Sequence, residues 1–120
     1  MRIIILAALM LLIVITMVLA KEPKTTELTG YIVDNKCSGK QSKAHLDEYV
    51  KIMTKGCAVS PECKASGYSI YAHRRLYRFD TKSNKKIAEF LQKPDSKLLV
   101  VAEVKKQGNK VRLVSLRNGG

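Results

Sequence analysis

The spacing of apolar residues changes along the chain, and each change marks an element. From Ile3 to Leu19 the residues are apolar apart from Thr16. Leu28 to Asp34 alternates, with Gly30 and Ile32 on one side and Tyr31 and Val33 on the other, which predicts a half-buried strand. Asn35 to Gln41 is polar and rich in turn formers. From Ser42 the period becomes helical: Leu46, Tyr49, Val50, Met53 and Cys57 recur on one face, with Ser42 as N-cap and Gly56 as terminator. That predicts one amphipathic helix of about three to four turns.

Ala58 to Gly67, which contains Ser60-Pro61, reads as an irregular loop. Tyr68–Ala72 and Leu76–Asp80 predict a hairpin around His73-Arg74-Arg75. A second helix is expected at Asn84–Gln92, burying Ile87, Ala88 and Leu91 and stopped by Pro94. Leu98–Lys105 and Val111–Leu116 predict a closing hairpin joined by Gln107-Gly108-Asn109-Lys110, with Arg117 to Gly120 as a frayed end.

The expected fold class is therefore mainly β with two helices, an α+β domain. Five strands with a helix between the third and fourth is the order of elements in a five-stranded OB-like barrel. The Cys-bearing helical insertion, residues 35–67, would lie between strands 1 and 2. A different small α+β sheet would use the same elements.

The N-terminus bears on location. Met1-Arg2 is a short positive start, and Val18-Leu19-Ala20 supplies small residues where a signal peptidase reads. Residues 1–20 are expected to be a signal peptide, 21–27 a flexible leader and 28–117 a single domain. The apolar run exceeds the usual core of ~7–15 residues and falls just short of the ~20 of a spanning helix, so an uncleaved anchor is the competing reading. No cysteine sits at the cleavage point, which argues against lipoprotein attachment. Both readings place the folded part outside the cytoplasm, periplasmic or secreted.

Composition adds a charge argument. The chain holds 22 Lys and Arg against 10 Asp and Glu, a formal net charge of +12. Such a surplus favours anionic surroundings, namely a membrane surface, acidic polysaccharide, anionic lipid head groups or nucleic acid, and an anionic envelope component or a protein is the expected partner. Arg74, Arg75, Lys85 and Lys86 are the candidate contacts, beside the plainer reading of a solvated basic surface. Tyr31, Tyr68, Tyr71, Tyr77 and Phe79 could stack bases on a barrel face, but export argues against nucleic acid and these aromatics also suit a core. A membrane enters only if the N-terminal segment is uncleaved. Paired carboxylates, a phosphate loop, CxxC and CxxCH are all missing, so the chain is not expected to be an enzyme.

Three cysteines remain, Cys37, Cys57 and Cys63. Outside the cytoplasm cysteines normally pair, and an odd count leaves one over. One reading is a staple, Cys57–Cys63 or Cys37–Cys57, the longer loop of the second being worth about 3 kcal/mol to a small core in the chain-entropy account. The other is a metal centre. Met53 and Cys57 are four apart on the predicted helix, Cys63 folds back from the Ser60-Pro61 turn, and Cys37 arrives from the first strand. Three thiolates and a thioether suit Cu(I) first, while three thiolates with a fourth ligand suit Zn(II). His45 would lie about 18 Å from Cys57 along a continuous helix, too far to share an ion. His73 reads as a surface turn residue. Asp34 would cap the turn after strand 1 or orient a ligand.

The residues Thr29-Gly30-Tyr31-Ile32-Val33-Asp34-x-x-Cys37, then Cys57-Ala58 and Cys63 followed by Ser66-Gly67-Tyr68, resemble a group of small exported bacterial proteins. These open with a G-x-(V/I)-D-x-x-C strand and continue through a C-A-x(n)-C-x-x-S-G-Y segment into an OB-like β domain. The resemblance covers most of the chain after residue 20 and implies location and fold rather than activity. Where such proteins often carry a His four residues before the Cys57 equivalent, this chain has Met53, so no metal identity carries over.

Overall fold

The computed structural model describes residues 3–8, 10 and 24–120. Residues 3–8 are helical; most of the predicted signal peptide and leader lies outside the described residues. No helix among the described residues is long and apolar enough to cross a membrane. The remainder is an α+β domain on a five-stranded antiparallel sheet, in the order β3-β2-β1-β4-β5.

Strand β1 (Thr26–Asp34) is the central strand and begins two residues before the alternation predicted it. It pairs on one side with β2 (Tyr68–Ala72), Ile32 opposite Ile70, and on the other with β4 (Leu99–Gln107), Gly30 opposite Val100. The alternation sorts its side chains as expected. Leu28 and Ile32 enter the main core with Ile70, Val100 and Val104, and Val33 enters a second apolar cluster with Leu46, Val50 and Tyr71. Gly30 is required by close approach, since a Cβ there would stand 2.0 Å from the Tyr71 carbonyl oxygen.

Strand β3 (Arg75–Arg78) returns from β2 through a two-residue turn in which His73 and Arg74 both take positive φ, 52° and 61°. This left-handed pair matches the twist of a tight hairpin. Helix α5 (Thr81–Gln92) starts three residues earlier than predicted, because the Asp80 carboxylate accepts from Ser83 N at 2.9 Å. It buries Ile87, Ala88 and Leu91 against the main core. Ser83 is buried too, and its hydroxyl accepts from Leu113 N at 2.8 Å, which ties the helix to β5 (Lys110–Asn118). The expected frayed end is paired instead, as Gly119 N donates to Leu99 O at 2.8 Å.

In the strand order β3-β2-β1-β4-β5 no ladder joins β3 to β5; just past β3, Phe79 forms an isolated parallel bridge with Val111. Two expectations are corrected. The insertion holds four short helices rather than one: α1 (Asn35–Ser38), α2 (Lys43–Ile52), α3 (Lys55–Ala58) and α4 (Pro61–Ser66), the last where a loop was expected. The continuous helix through Cys57 is broken at Met53, whose ψ of 137° is extended, and Gly56 lies inside α3 instead of ending α2. The cause is Thr54, whose hydroxyl accepts from Cys57 N at 3.2 Å and so starts a new helix.

Candidate metal centre

Each cysteine is carried by a different short helix. Asp34, at the end of β1, caps α1: its Oδ2 accepts from Cys37 N at 2.8 Å. Helix α1 then docks on α4 through Asn35 Nδ2 to Ser66 O at 3.0 Å, Lys36 N to Ser66 Oγ at 3.1 Å, and an ion pair between Lys36 and Glu62. Ser69 Oγ donates to Asn35 Oδ1 at 2.6 Å and holds that junction to the sheet. The docking carries Cys37 Sγ to 3.9 Å from Cys63 Sγ.

Helix α3 is fixed from two sides. Inside, the buried Tyr68 hydroxyl donates to Ala58 O at 2.9 Å. Outside, Lys55 Nζ donates to Lys93 O and Ser96 O, both at 2.9 Å, gripping the turn after α5. Cys57 lies between those anchors, and the sulfurs of Cys37, Cys57 and Cys63 all fall within 4.8 Å of one another.

These separations suit an ion. With metal–sulfur bonds near 2.3 Å, a tetrahedral centre needs sulfurs roughly 3.8 Å apart and a trigonal planar one roughly 4.0 Å. The Cys37–Cys63 separation of 3.9 Å already lies between the two. All three thiols are free. Cys57–Cys63 and Cys37–Cys57 were the pairings anticipated, whereas Cys37–Cys63 is the contact brought to hydrogen-bond range, because α1 and α4 dock directly.

The surroundings are dry on one side and open on the other. Cys63 is buried, Cys37 half-buried and Cys57 exposed. Burial, aided by the contact with Cys63 and the nearby Asp34 carboxylate, pushes the Cys37 thiol up to about 11. Tyr49, from α2, has its hydroxyl raised well above the ordinary tyrosine range, by burial first and then by negative charge on Asp34, Cys37 and Cys57. Asp34 is wholly buried, and its Oδ1 has no hydrogen-bond partner. An unpartnered buried carboxylate oxygen is expensive unless positive charge lies close by, which an ion among the thiols would supply.

Comparison with protein-family models, curated proteins and solved structures finds no match to this chain.

The other candidates are dispersed. Met53 packs, partly buried, against both apolar clusters, and the helical spacing that paired it with Cys57 is lost at the break. His45 lies outside the cysteine group and is hydrogen-bonded through Nδ1 to Ser42 Oγ at 2.7 Å. His73 is exposed in its turn. Arg74 and Arg75 line a hollow with Lys43, and Arg74 pairs with Asp47 at 3.7 Å. Lys85 and Lys86 stand apart from them on α5. Tyr68, Tyr71 and Phe79 are buried, so those rings fill the core. Sequence reasoning missed Tyr49, Tyr68 and Lys55 as supports of the centre; Tyr49 showed only as one member of the apolar stripe.

Proposed function

We propose that this is a small exported protein of the cell envelope that binds a soft metal ion at Cys37, Cys57 and Cys63, copper(I) first and zinc(II) second, in an accessory or sensing role. The observation that carries the reading is the convergence of three thiols from three separate helices within 4.8 Å. No imidazole or carboxylate joins that group among the described residues. An all-thiolate trigonal site suits monovalent copper, while zinc would recruit water or another fourth ligand. The exposed Cys57 beside the buried Cys63 leaves the site open on one side, so an ion can pass to or from a partner by exchange of ligands.

The OB-like barrel belongs to the same proposal. It is supported by the strand order, by the Phe79–Val111 parallel bridge and by Asp80 N donating to Val111 O at 3.1 Å, which together bring β3 to β5. Export rests on the apolar N-terminal run and on the resemblance of the cysteine segment to small exported bacterial proteins.

A second reading, a disulfide-stapled module that binds an anionic or protein partner without metal, is favoured by the 3.9 Å approach of Cys37 to Cys63. Native and denaturing intact mass, with thiol alkylation, separates the two on protein recovered from the envelope without reductant or chelator. Three alkylated thiols and a bound metal mass support the centre. Two oxidised cysteines and no metal mass replace it with the stapled module.

A further inference from the structure

A second feature lies away from the sulfurs. A cleft of about 380 Å³ opens where the end of α4 meets the end of β3 and the first turns of α5. Lys64 of α4, Arg78 of β3, Lys85 of α5 and Lys110 of β5 line it, and no acidic residue does. Four elements thus bring exposed positive charge to one concavity, which favours an anion there.

The wall between these charges is built rather than loose. Asn84 Oδ1 accepts from Tyr68 N at 2.9 Å, which fixes the amide plane. Gly67, at φ 80°, packs so closely that a Cβ would stand 2.7 Å from Asn84 Nδ2. Asn84 lines the cleft, and its Nδ2 donates no hydrogen bond among the described residues. Thr81 opens helix α5 on the same wall, and Asp80 spends its carboxylate on Ser83 N. The cleft therefore offers a guanidinium fork, three ammonium groups and an unused amide donor.

We propose that this cleft binds the phosphoryl group of a phosphate monoester, either free or carried as a lipid headgroup. A dianion with three acceptor oxygens matches that donor set better than a single carboxylate does, because the fork takes two oxygens and the lysines balance the charge. The volume admits the phosphoryl group together with a small alcohol. The proposal uses none of the cysteines and is independent of the metal reading.

The test is a titration of the full chain with inorganic phosphate and glycerol phosphate at fixed ionic strength, followed by amide NMR shifts, with flotation on vesicles of phosphatidic acid or phosphatidylcholine. Saturable shifts are expected at Gly67, Asn84 and Lys85. Arg78→Gln with Lys85→Gln should weaken binding by at least about tenfold, as the loss of charged hydrogen bonds implies. Lys51→Gln with Lys97→Gln, the same change of charge at exposed positions outside the cleft, should leave it unaltered. Binding to glycerol phosphate alone identifies a soluble ester, and binding to phosphatidic acid that the cleft variant loses identifies the headgroup. Equal loss in both double variants, or no saturable binding to any probe, overturns the site.

Discussion

Replacing Cys37 with serine tests the sulfur centre most directly, because the structure sets both the size and the pH dependence of the effect. Cys37 is half-buried, and its thiol lies 3.9 Å from that of Cys63. The metal-free fold should therefore change little, with a thermal midpoint within about 5 °C of the parent for a stability change of under ~1 kcal/mol. Copper binding should fall much further. Loss of an outer partner of a metal ligand costs about 10–100-fold in affinity, so loss of one of three thiolates should exceed about 100-fold. The second signature is the proton count. A thiol pushed up to about 11 is protonated throughout the neutral range and must give up its proton to bind. Affinity then rises with pH, and Cys37 alone contributes about tenfold per pH unit below its pKa. In Cys37→Ser the slope of log affinity against pH should drop by about one, the proton the missing thiol would have released. The assay is an anaerobic competition titration of Cu(I) against a chromophoric chelator, run at several pH values for both proteins. A variant that binds within about threefold of the parent, with the same slope, would remove Cys37 from the centre and the reasoning with it.

Further outcomes follow from the packing. Met53→Leu conserves volume at a residue packed on both apolar clusters, so it should cost less than about 1.5 kcal/mol and leave copper affinity unchanged; a large loss in the same titration would return the thioether to the site. Gly30→Ala forces a Cβ to within 2.0 Å of the Tyr71 carbonyl oxygen. It should cost about 3 kcal/mol or more, read as a fall of ~12–24 °C in melting temperature. Asp80 is held below its usual range: burial opposes the charged form, but hydrogen bonds from Ser83 and the charges of Arg112 and Lys110 outweigh it. Its contribution to stability is therefore present above about pH 4 and lost as pH falls through the depressed folded pKa. Melting curves of Asp80→Ala should lie below the parent's at neutral pH and converge with them in acid.

Several elements were legible because their signal is local. The alternation through Leu28 to Asp34 sorted β1 onto two faces, since a strand's period of two depends on nothing distant. The Gly108-Asn109 turn and the apolar stripe of α5 were equally local. The helix break at Met53 was not. Apolar spacing reports which face is buried, whereas the break depends on whether Thr54 caps α3 or continues α2, and Lys55 gripping Lys93 O and Ser96 O favours the cap.

The sequence by itself determined that there would be three cysteines, a five-strand order and a basic surplus, because counts and periods are properties of the chain. It left open how the sulfurs would meet. Only the tertiary structure decided that, by docking α1 on α4 through Asn35 and Ser66 and pinning α3 through Tyr68, which brings the sulfurs of Cys37, Cys57 and Cys63 within 4.8 Å of one another. The same holds for the cationic cleft, whose four side chains are far apart in the chain and neighbours only where α4, β3, α5 and β5 converge. Sites of this kind are made by contacts between elements, and no period along the sequence encodes the distance across them.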